Sequence, residues 1–197
     1  MKKNHINRRD FIKVLGGTAT STAVLYGCTN QKQPRRAVGE VLTDRMTYRT
    51  NPNTGDRVSL LGYGCMRLPT LSSENAGESE NDIDQEMVNR LTDYAIEHGV
   101  NYFDTLPAYC KGRSEQAMGI ALSRHARDKY FIATKLSNFS PDTWSREASL
   151  EIYHHSFKYL QVEYIDYLLL HAVGLGGMEA LKGRYLDNGM LDFLLKE

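Results

Sequence analysis

The segment Val100-Asn101-Tyr102-Phe103-Asp104 indicates the fold class, because it has the composition of a short buried strand and stands between two helical patterns. Asp82, followed three residues later by Gln85, predicts the start of the helix before it, and Gly99 predicts its end. Residues 114–125, after the stretch, predict a shorter helix with small apolar side chains inward. A strand enclosed by two helices is typical of a βαβ unit.

The same alternation of strand and helix continues along the chain. Residues 130–134 and 164–170 have strand patterns, and residues 144–160 between them place apolar side chains on one face of a helix. Residues 60–64 predict the first strand of the core. Such alternation predicts right-handed βαβ units and a parallel sheet that helices cover on its outer side.

The two ends of this region add a hairpin and weaker helices. Residues 46–50 and 57–61 flank the turn-rich stretch 51–56, which predicts an N-terminal β-hairpin, and residues 178–185 and 190–197 have weaker helical patterns. About four βα units result, whereas a closed (β/α)₈ barrel has eight and typically about 250 residues. We expect an α/β fold of the (β/α)₈ TIM-barrel type, truncated to about the first four βα units. A fragment or truncated product is the first explanation, and pairing of two half-barrels is the alternative.

Composition and charge narrow the classes of function. The 197 residues are 41% apolar, and 24 Lys and Arg balance 24 Asp and Glu, so the charge gives no argument for nucleic acid as a partner. The cysteines Cys28, Cys65 and Cys110 are too few for a disulfide framework and lack the paired spacing of a structural metal site. The sequence therefore predicts a globular domain without a metal.

The first 28 residues have the pattern of an export signal. Residues 7–13 contain Arg8 and Arg9 before an uncharged run rich in small residues, and together they resemble a twin-arginine signal. Leu25-Tyr26-Gly27-Cys28 resembles a lipoprotein cleavage box, with a stray cysteine as the alternative. We expect a signal over 1–28, a tether over 29–45 and the partial barrel over 46–197. The protein would then be periplasmic or membrane-anchored outside the cytoplasm, with lipidated Cys28 as a possible membrane tether.

Four polar residues stand at or just beyond the carboxyl ends of three successive predicted strands. Asp104 and Tyr109 follow the first of these strands, Lys135 follows the second, and His171 follows the third. Barrel active sites are built on this face of the sheet, so these side chains are the candidate catalytic residues.

The ordered set of Asp, Tyr, Lys and His resembles the catalytic tetrad of the aldo/keto reductase family, whose barrels carry these types in this order. The resemblance runs from about residue 46 to the C-terminus and includes three further motifs: Gly62–Pro69, Tyr109–Glu115 and Tyr164–His171. It implies a carbonyl reductase that uses NADPH or NADH and acts on a small aldehyde or ketone. It also implies that Gly64, Cys65, Met66 and Asp104 border the nicotinamide end of the cofactor.

The chemistry of carbonyl reduction explains why these residue types are needed together. Hydride transfer to a carbonyl carbon leaves negative charge on oxygen, which requires a proton donor and fixed dipoles. A free tyrosine has a pKa near 10, and an ammonium group within about 4 to 6 Å favours its phenolate. We therefore assign Tyr109 as general acid, Lys135 as the cation that activates it, Asp104 as the partner of Lys135, and His171 as a neutral hydrogen-bond donor to the carbonyl.

Two alternatives stand beside this hypothesis. Taken singly, each of the four residues has an ordinary structural explanation, and an exported scaffold or binding module derived from the barrel could keep them without activity.

The chain also departs from the family after His171, where Ala172-Val173 and a glycine-rich stretch replace an aromatic residue and a proline. An iron–sulfur cluster is expected only if a C-terminal module exists beyond this sequence. The substrate, the choice between NADP and NAD, and the oligomeric state do not follow from the residues.

Overall fold

The computed structural model of the chain describes residues 45–71 and 83–197. The predicted export signal, Cys28 and all but the last residue of the predicted tether lie outside the described residues, as does Asp82. None of the helices in the described part combines the length and the apolarity that a membrane span needs.

The predicted hairpin is confirmed and lies at the amino-terminal ends of the core strands. Strands β1 (Tyr48–Thr50) and β2 (Arg57–Ser59) pair in antiparallel register. The backbone N–H of Ser59 donates to Asn101 Oδ1 at 2.7 Å, and Tyr167 donates from its hydroxyl to Asp56 Oδ2 at 2.6 Å. The hairpin is therefore attached to the beginning of two core strands, one of which starts at Tyr102 and the other at Tyr167.

The core sheet has four parallel strands in sequence order, as the alternating pattern predicts. They are β3 (Tyr63–Gly64), β4 (Tyr102–Asp104), β5 (Phe131–Leu136) and β6 (Tyr167–Leu170). Gly64 lies opposite Asp104, and Asp104 lies opposite Ala133, so the carboxyl ends of the strands reach one edge together. Among the described residues, β3 and β6 are the outer strands of this sheet.

The described part of the chain contains five α-helices, of which three alternate with the core strands and two come after the last strand. They are α1 (Gln85–Glu97), α2 (Ser114–Leu122), α3 (Arg146–Leu160), α4 (Gly177–Leu181) and α5 (Met190–Leu194), and a π-helical turn, Lys182–Leu186, separates the last two. The predicted cap at Asp82 is wrong, because Asp84 accepts from the backbone N–H of Met87 at 2.9 Å and begins α1. Ser145 caps α3 in the same way, so that helix begins two residues later than the pattern predicts.

Two apolar clusters hold the helices against the sheet. The first packs Phe103 and Ile132 of the sheet against Val88 of α1 and Met118 of α2. The second joins the end of β5 to α3 and the C-terminal helices: Leu136, Tyr153, Tyr185 and Met190. Burial of these side chains is the main force that fixes the strand ends, and thus the candidate site, in place.

Candidate active site

Asp104 and Lys135 form a partly buried ion pair at the carboxyl edge of the sheet. Lys135 Nζ lies 2.6 Å from Asp104 Oδ1 and also donates to the carbonyl oxygen of Thr105 at 2.9 Å. The Lys135 side chain is 12% exposed and that of Asp104 is 33% exposed. The register explains the pair, because Lys135 stands two residues beyond the partner of Asp104 and shares its face of the sheet. The ammonium group is thereby held at a fixed point.

Tyr109 lies beside this ammonium group. Lys135 Nζ is 5.1 Å from the centroid of the Tyr109 ring. Behind the tyrosine the backbone is left-handed at three consecutive residues, Cys110, Lys111 and Gly112, with φ of 51°, 54° and 87°. The thiol of Cys110 donates to the carbonyl oxygen of Met66 at 3.4 Å, which ties this turn to the residues after β3. Left-handed backbone is costly for residues other than glycine and persists only where tertiary contacts hold it.

His171 follows β6 at the same edge and has both a polar and an aromatic neighbour. Its Nδ1 lies 3.1 Å from Ser137 Oγ, and its ring meets the Phe139 ring edge-on at 4.6 Å. Burial lowers the pKa of His171 below its usual 6.5, and the charges of Lys135 and Arg184 lower it further, against an opposing effect of Asp104. The imidazole is therefore neutral at pH 7 and can donate one hydrogen bond.

A cavity of about 240 Å³ is lined in part by Phe139 and Arg184, two residues that contact His171. It is lined mainly by aromatic and apolar side chains, with one acid and one base: Phe139, Trp144, Leu175, Gly176, Glu179, Ala180 and Arg184. Phe139 lines this cavity and also packs against the imidazole of His171. The lining comes from residues after β5 and after β6, where loops of a barrel build substrate walls.

The residues predicted to border a cofactor have different environments. Gly64 pairs with Asp104, and Met66 is half exposed beyond it. Cys65 is fully buried in the first apolar cluster, and this burial raises the pKa of its thiol. The backbone N–H of Cys65 donates to Asp104 O at 2.9 Å, so the backbone of Cys65 lies at the edge, and its proximity to a cofactor stays a prediction.

Sequence reasoning missed Ser137, Phe139 and Arg184, which surround His171. Strand alternation could have found Ser137, because it stands two residues after Lys135 and continues on the same face. No local pattern marks Arg184, which arrives from the π-helical turn. Within residues 45–71 and 83–197, no group of three or more His, Cys, Asp or Glu side chains is placed to hold a metal ion.

Comparisons with known proteins agree with this architecture. The sequence model of the Aldo/keto reductase family matches residues 60–175. L-galactose dehydrogenase from Arabidopsis thaliana is 27% identical over 140 residues, which are 70% of this chain and 41% of that protein. The holo form of an aldo-keto reductase from Bacillus halodurans aligns with 64% of this chain and 40% of its own, at 32% identity and a TM-score of 0.50. The chain spans about two fifths of the length of L-galactose dehydrogenase.

Proposed function

The chain belongs to the aldo/keto reductase family, and from this membership we propose that its protein reduces an aldehyde or ketone by hydride transfer from NADPH or NADH. One observation carries the proposal. The Lys135 ammonium group lies both in an ion pair with Asp104 and 5.1 Å from the ring of Tyr109, at the edge of the sheet where barrel active sites are built.

Tyr109 is the proton donor in this proposal. Reduction places negative charge on the carbonyl oxygen, and a phenol beside that oxygen can deliver the proton that neutralises it. The nearby Lys135 cation stabilises the phenolate that remains, because opposite charges attract strongly in a partly buried site. Asp104 keeps the ammonium group in position through the 2.6 Å contact. Thr105 contributes a second anchor through its carbonyl oxygen.

His171 orients the substrate. When the Ser137 hydroxyl donates to Nδ1, the neutral imidazole carries its proton on Nε2 and can donate it to the substrate oxygen. A neutral imidazole adds a dipole without competing with Tyr109 for the role of acid. The lowered pKa of His171 supports this neutral form.

The residues at the edge fit the nicotinamide end of the cofactor. No atom lies within 4 Å of the point where a Cβ on Gly64 would stand, so this strand end has open space beside it. Met66 and Asp104 flank that space with a half-exposed apolar side chain and a carboxylate. These three residues would hold the ring, and the reduced nicotinamide supplies the hydride when bound. L-galactose dehydrogenase, one of the relatives, is named for oxidation of a sugar, which is the same class of hydride chemistry.

The test is Tyr109→Phe in the protein expressed from its complete coding sequence. We expect carbonyl reduction to fall by at least about 10²-fold, the contribution usual for a general acid, because the substitution removes the proton source and retains the ring. Cofactor affinity, measured by the change in nicotinamide fluorescence, should stay within about twofold of the original, since little else is lost.

The matched control is Tyr94→Phe, which removes the hydroxyl of an exposed tyrosine on α1. This variant should reduce the substrate at the original rate. Retained turnover in Tyr109→Phe contradicts the assigned role. Absence of cofactor binding at millimolar concentration in the original protein supports the inactive scaffold instead.

The N-terminal sequence supports a second part of the proposal. Arg8 and Arg9 before an uncharged run favour export by the twin-arginine route, and Cys28 would be lipidated to anchor the protein outside the cytoplasm. That route exports folded proteins, which suits an enzyme that must bind a cofactor.

A further inference from the structure

Arg184 is a fully buried cation beside the candidate site. It lies in the π-helical turn and is 1% exposed. A buried charge is costly unless it is compensated, usually by a carboxylate. Arg124 pairs with Asp93 and Arg127 pairs with Asp166, whereas no carboxylate of the described part of the chain forms an ion pair with Arg184. The reason for its burial must therefore lie in its other contacts.

Those contacts converge on the backbone of His171 and Ala172. Arg184 Nη2 donates to the carbonyl oxygen of His171 at 2.6 Å, and Nη1 donates to that of Ala172 at 3.2 Å. The remaining donors reach the Tyr185 hydroxyl at 2.7 Å and Asn138 Oδ1 at 3.3 Å. The guanidinium group thus receives its compensation from the turn that carries the predicted catalytic imidazole.

This turn needs an external contact to keep its shape. Ala172 has a φ of 48°, in the left-handed region that alanine rarely adopts. Arg184 binds the carbonyl oxygens of the two peptide groups that flank Ala172, and this favours the left-handed conformation of Ala172 that brings those oxygens together.

Arg184 also contacts the ring that packs on the imidazole. Its guanidinium carbon is 5.0 Å from the centroid of the Phe139 ring, and that ring lies 4.6 Å from the ring of His171. Arg184 therefore contacts both the backbone of His171 and the Phe139 ring that packs on its imidazole.

We propose that Arg184 is a positioning residue for His171. Arg184 holds the turn at His171 and the left-handed Ala172, and it thereby fixes the imidazole at the edge of the sheet. Its meaning for catalysis rests on the proposed function. The hydrogen bonds from Arg184 to the carbonyl oxygens of His171 and Ala172, here called the clamp, are made by the protein without cofactor or substrate.

The charges around the imidazole give the clamp a measurable consequence. Lys135 on β5 and Arg184 face His171 as cations and lower its pKa, while Asp104 at the end of β4 raises it. Ser137 and Phe139 are the neutral neighbours. Removal of the cation at 184 should raise the pKa of His171, and a lysine at this position should keep it low.

The test compares Arg184→Met and Arg184→Lys with the original protein by NMR, without cofactor or substrate. In both variants, hydrogen exchange should increase at least about tenfold at the backbone amides of His171 and Leu175, because neither variant keeps the fork of the guanidinium group. These amides donate to Leu136 O and Ala172 O, respectively. The imidazole signal of His171, assigned with His171→Gln, should titrate below 6.5 in the original protein and in Arg184→Lys, and higher in Arg184→Met.

Arg146→Met is the matched control. Arg146, the first residue of α3, also donates to a backbone carbonyl, that of Gly189 at 2.8 Å, and lies over an aromatic ring, but both contacts are made to α5 and its N-cap. This variant should leave both readouts at His171 unchanged. Unchanged exchange in both Arg184 variants, or an increase that Arg146→Met reproduces, overturns the proposal. If both Arg184 variants fail to fold, rapid exchange at the amides of His171 and Leu175 in the original protein overturns the proposal, and protected amides there support it. None of these readouts requires turnover, so they fail independently of the reductase proposal.

Discussion

Glu115 brings a carboxyl group into the space between the sheet and the helices. It stands in the first turn of α2, is fully buried, and accepts a hydrogen bond from Thr134 Oγ1 at 2.6 Å. Burial raises the pKa of Glu115, and hydrogen bonds from Thr134 and Ser156 oppose this effect in part. Thr134 is the residue before Lys135, so this carboxyl group supports the outer face of the strand that holds the ammonium group of the candidate site on its inner face.

The raised pKa of Glu115 makes the stability of the protein depend on pH. The folded state binds this proton more tightly than the unfolded chain, so the contribution is complete below the unfolded value of about 4.5 and is lost as pH rises through the folded pKa. Glu115→Gln should therefore become progressively more stable relative to the original protein as the pH rises from 4 to 8, because the amide has no proton to lose. Urea unfolding at pH 4, 6 and 8 measures the difference.

Glu163→Gln is the control for this titration, because Glu163 is exposed. It should change the free energy of unfolding by the same small amount at each pH. A difference between Glu115→Gln and the original protein that does not vary with pH would contradict the assignment of a buried, proton-binding carboxyl group.

Two helices, α2 and α3, approach each other more closely than side chains normally permit. Gly119 makes this possible, since a Cβ there would overlap the carbonyl oxygen of Tyr159 and would lie 2.9 Å from the carbonyl carbon of Leu160. At the start of α2, Ser114 Oγ donates to Cys65 O at 2.8 Å and lies 2.8 Å from Thr105 Oγ1. The close contact between the helices is thus connected to the strand ends that carry the site.

Gly119→Ala should destabilise the protein by about 1 to 3 kcal/mol, the usual cost of overpacking, because both atoms in the way belong to backbone and cannot rotate aside. Thermal unfolding measures the change. Gly174→Ala is the control, since no atom lies within 4 Å of its Cβ position, and it should alter the melting temperature little. Equal stability of the two variants would show that the helices separate without cost.

The order of the elements follows from the sequence because each depends on a local pattern of apolar residues. The placement of Asp104, Lys135 and His171 also follows, since parallel strands end at one edge and polar residues at those ends must meet there. The left-handed turn Cys110–Gly112 and the π-helical turn do not follow, because contacts distant in sequence stabilise both. The position of Arg184 does not follow from the sequence either. Its role depends on carbonyl oxygens that only the folded chain brings within reach.

In the described part of the molecule, the N-terminal hairpin and the candidate site lie at opposite ends of the sheet. The hairpin attaches through Asn101 and Tyr167 at the amino-terminal ends of β4 and β6. The ion pair of Asp104 with Lys135, and His171, lie at the carboxyl ends.

The proposed export and lipidation of the N-terminal segment give the last prediction. Replacement of Arg8 and Arg9 by lysine should keep the protein in the cytoplasm, because the twin-arginine route requires the arginine pair, whereas Cys28→Ser should remove lipidation without blocking export. Cell fractionation locates the protein, and labelling with radioactive palmitate detects the lipid. Cys110→Ser, a substitution of a cysteine within the folded domain, should leave both location and labelling unchanged. Export of the double lysine variant at the original rate contradicts the signal, and label retained after Cys28→Ser contradicts the anchor.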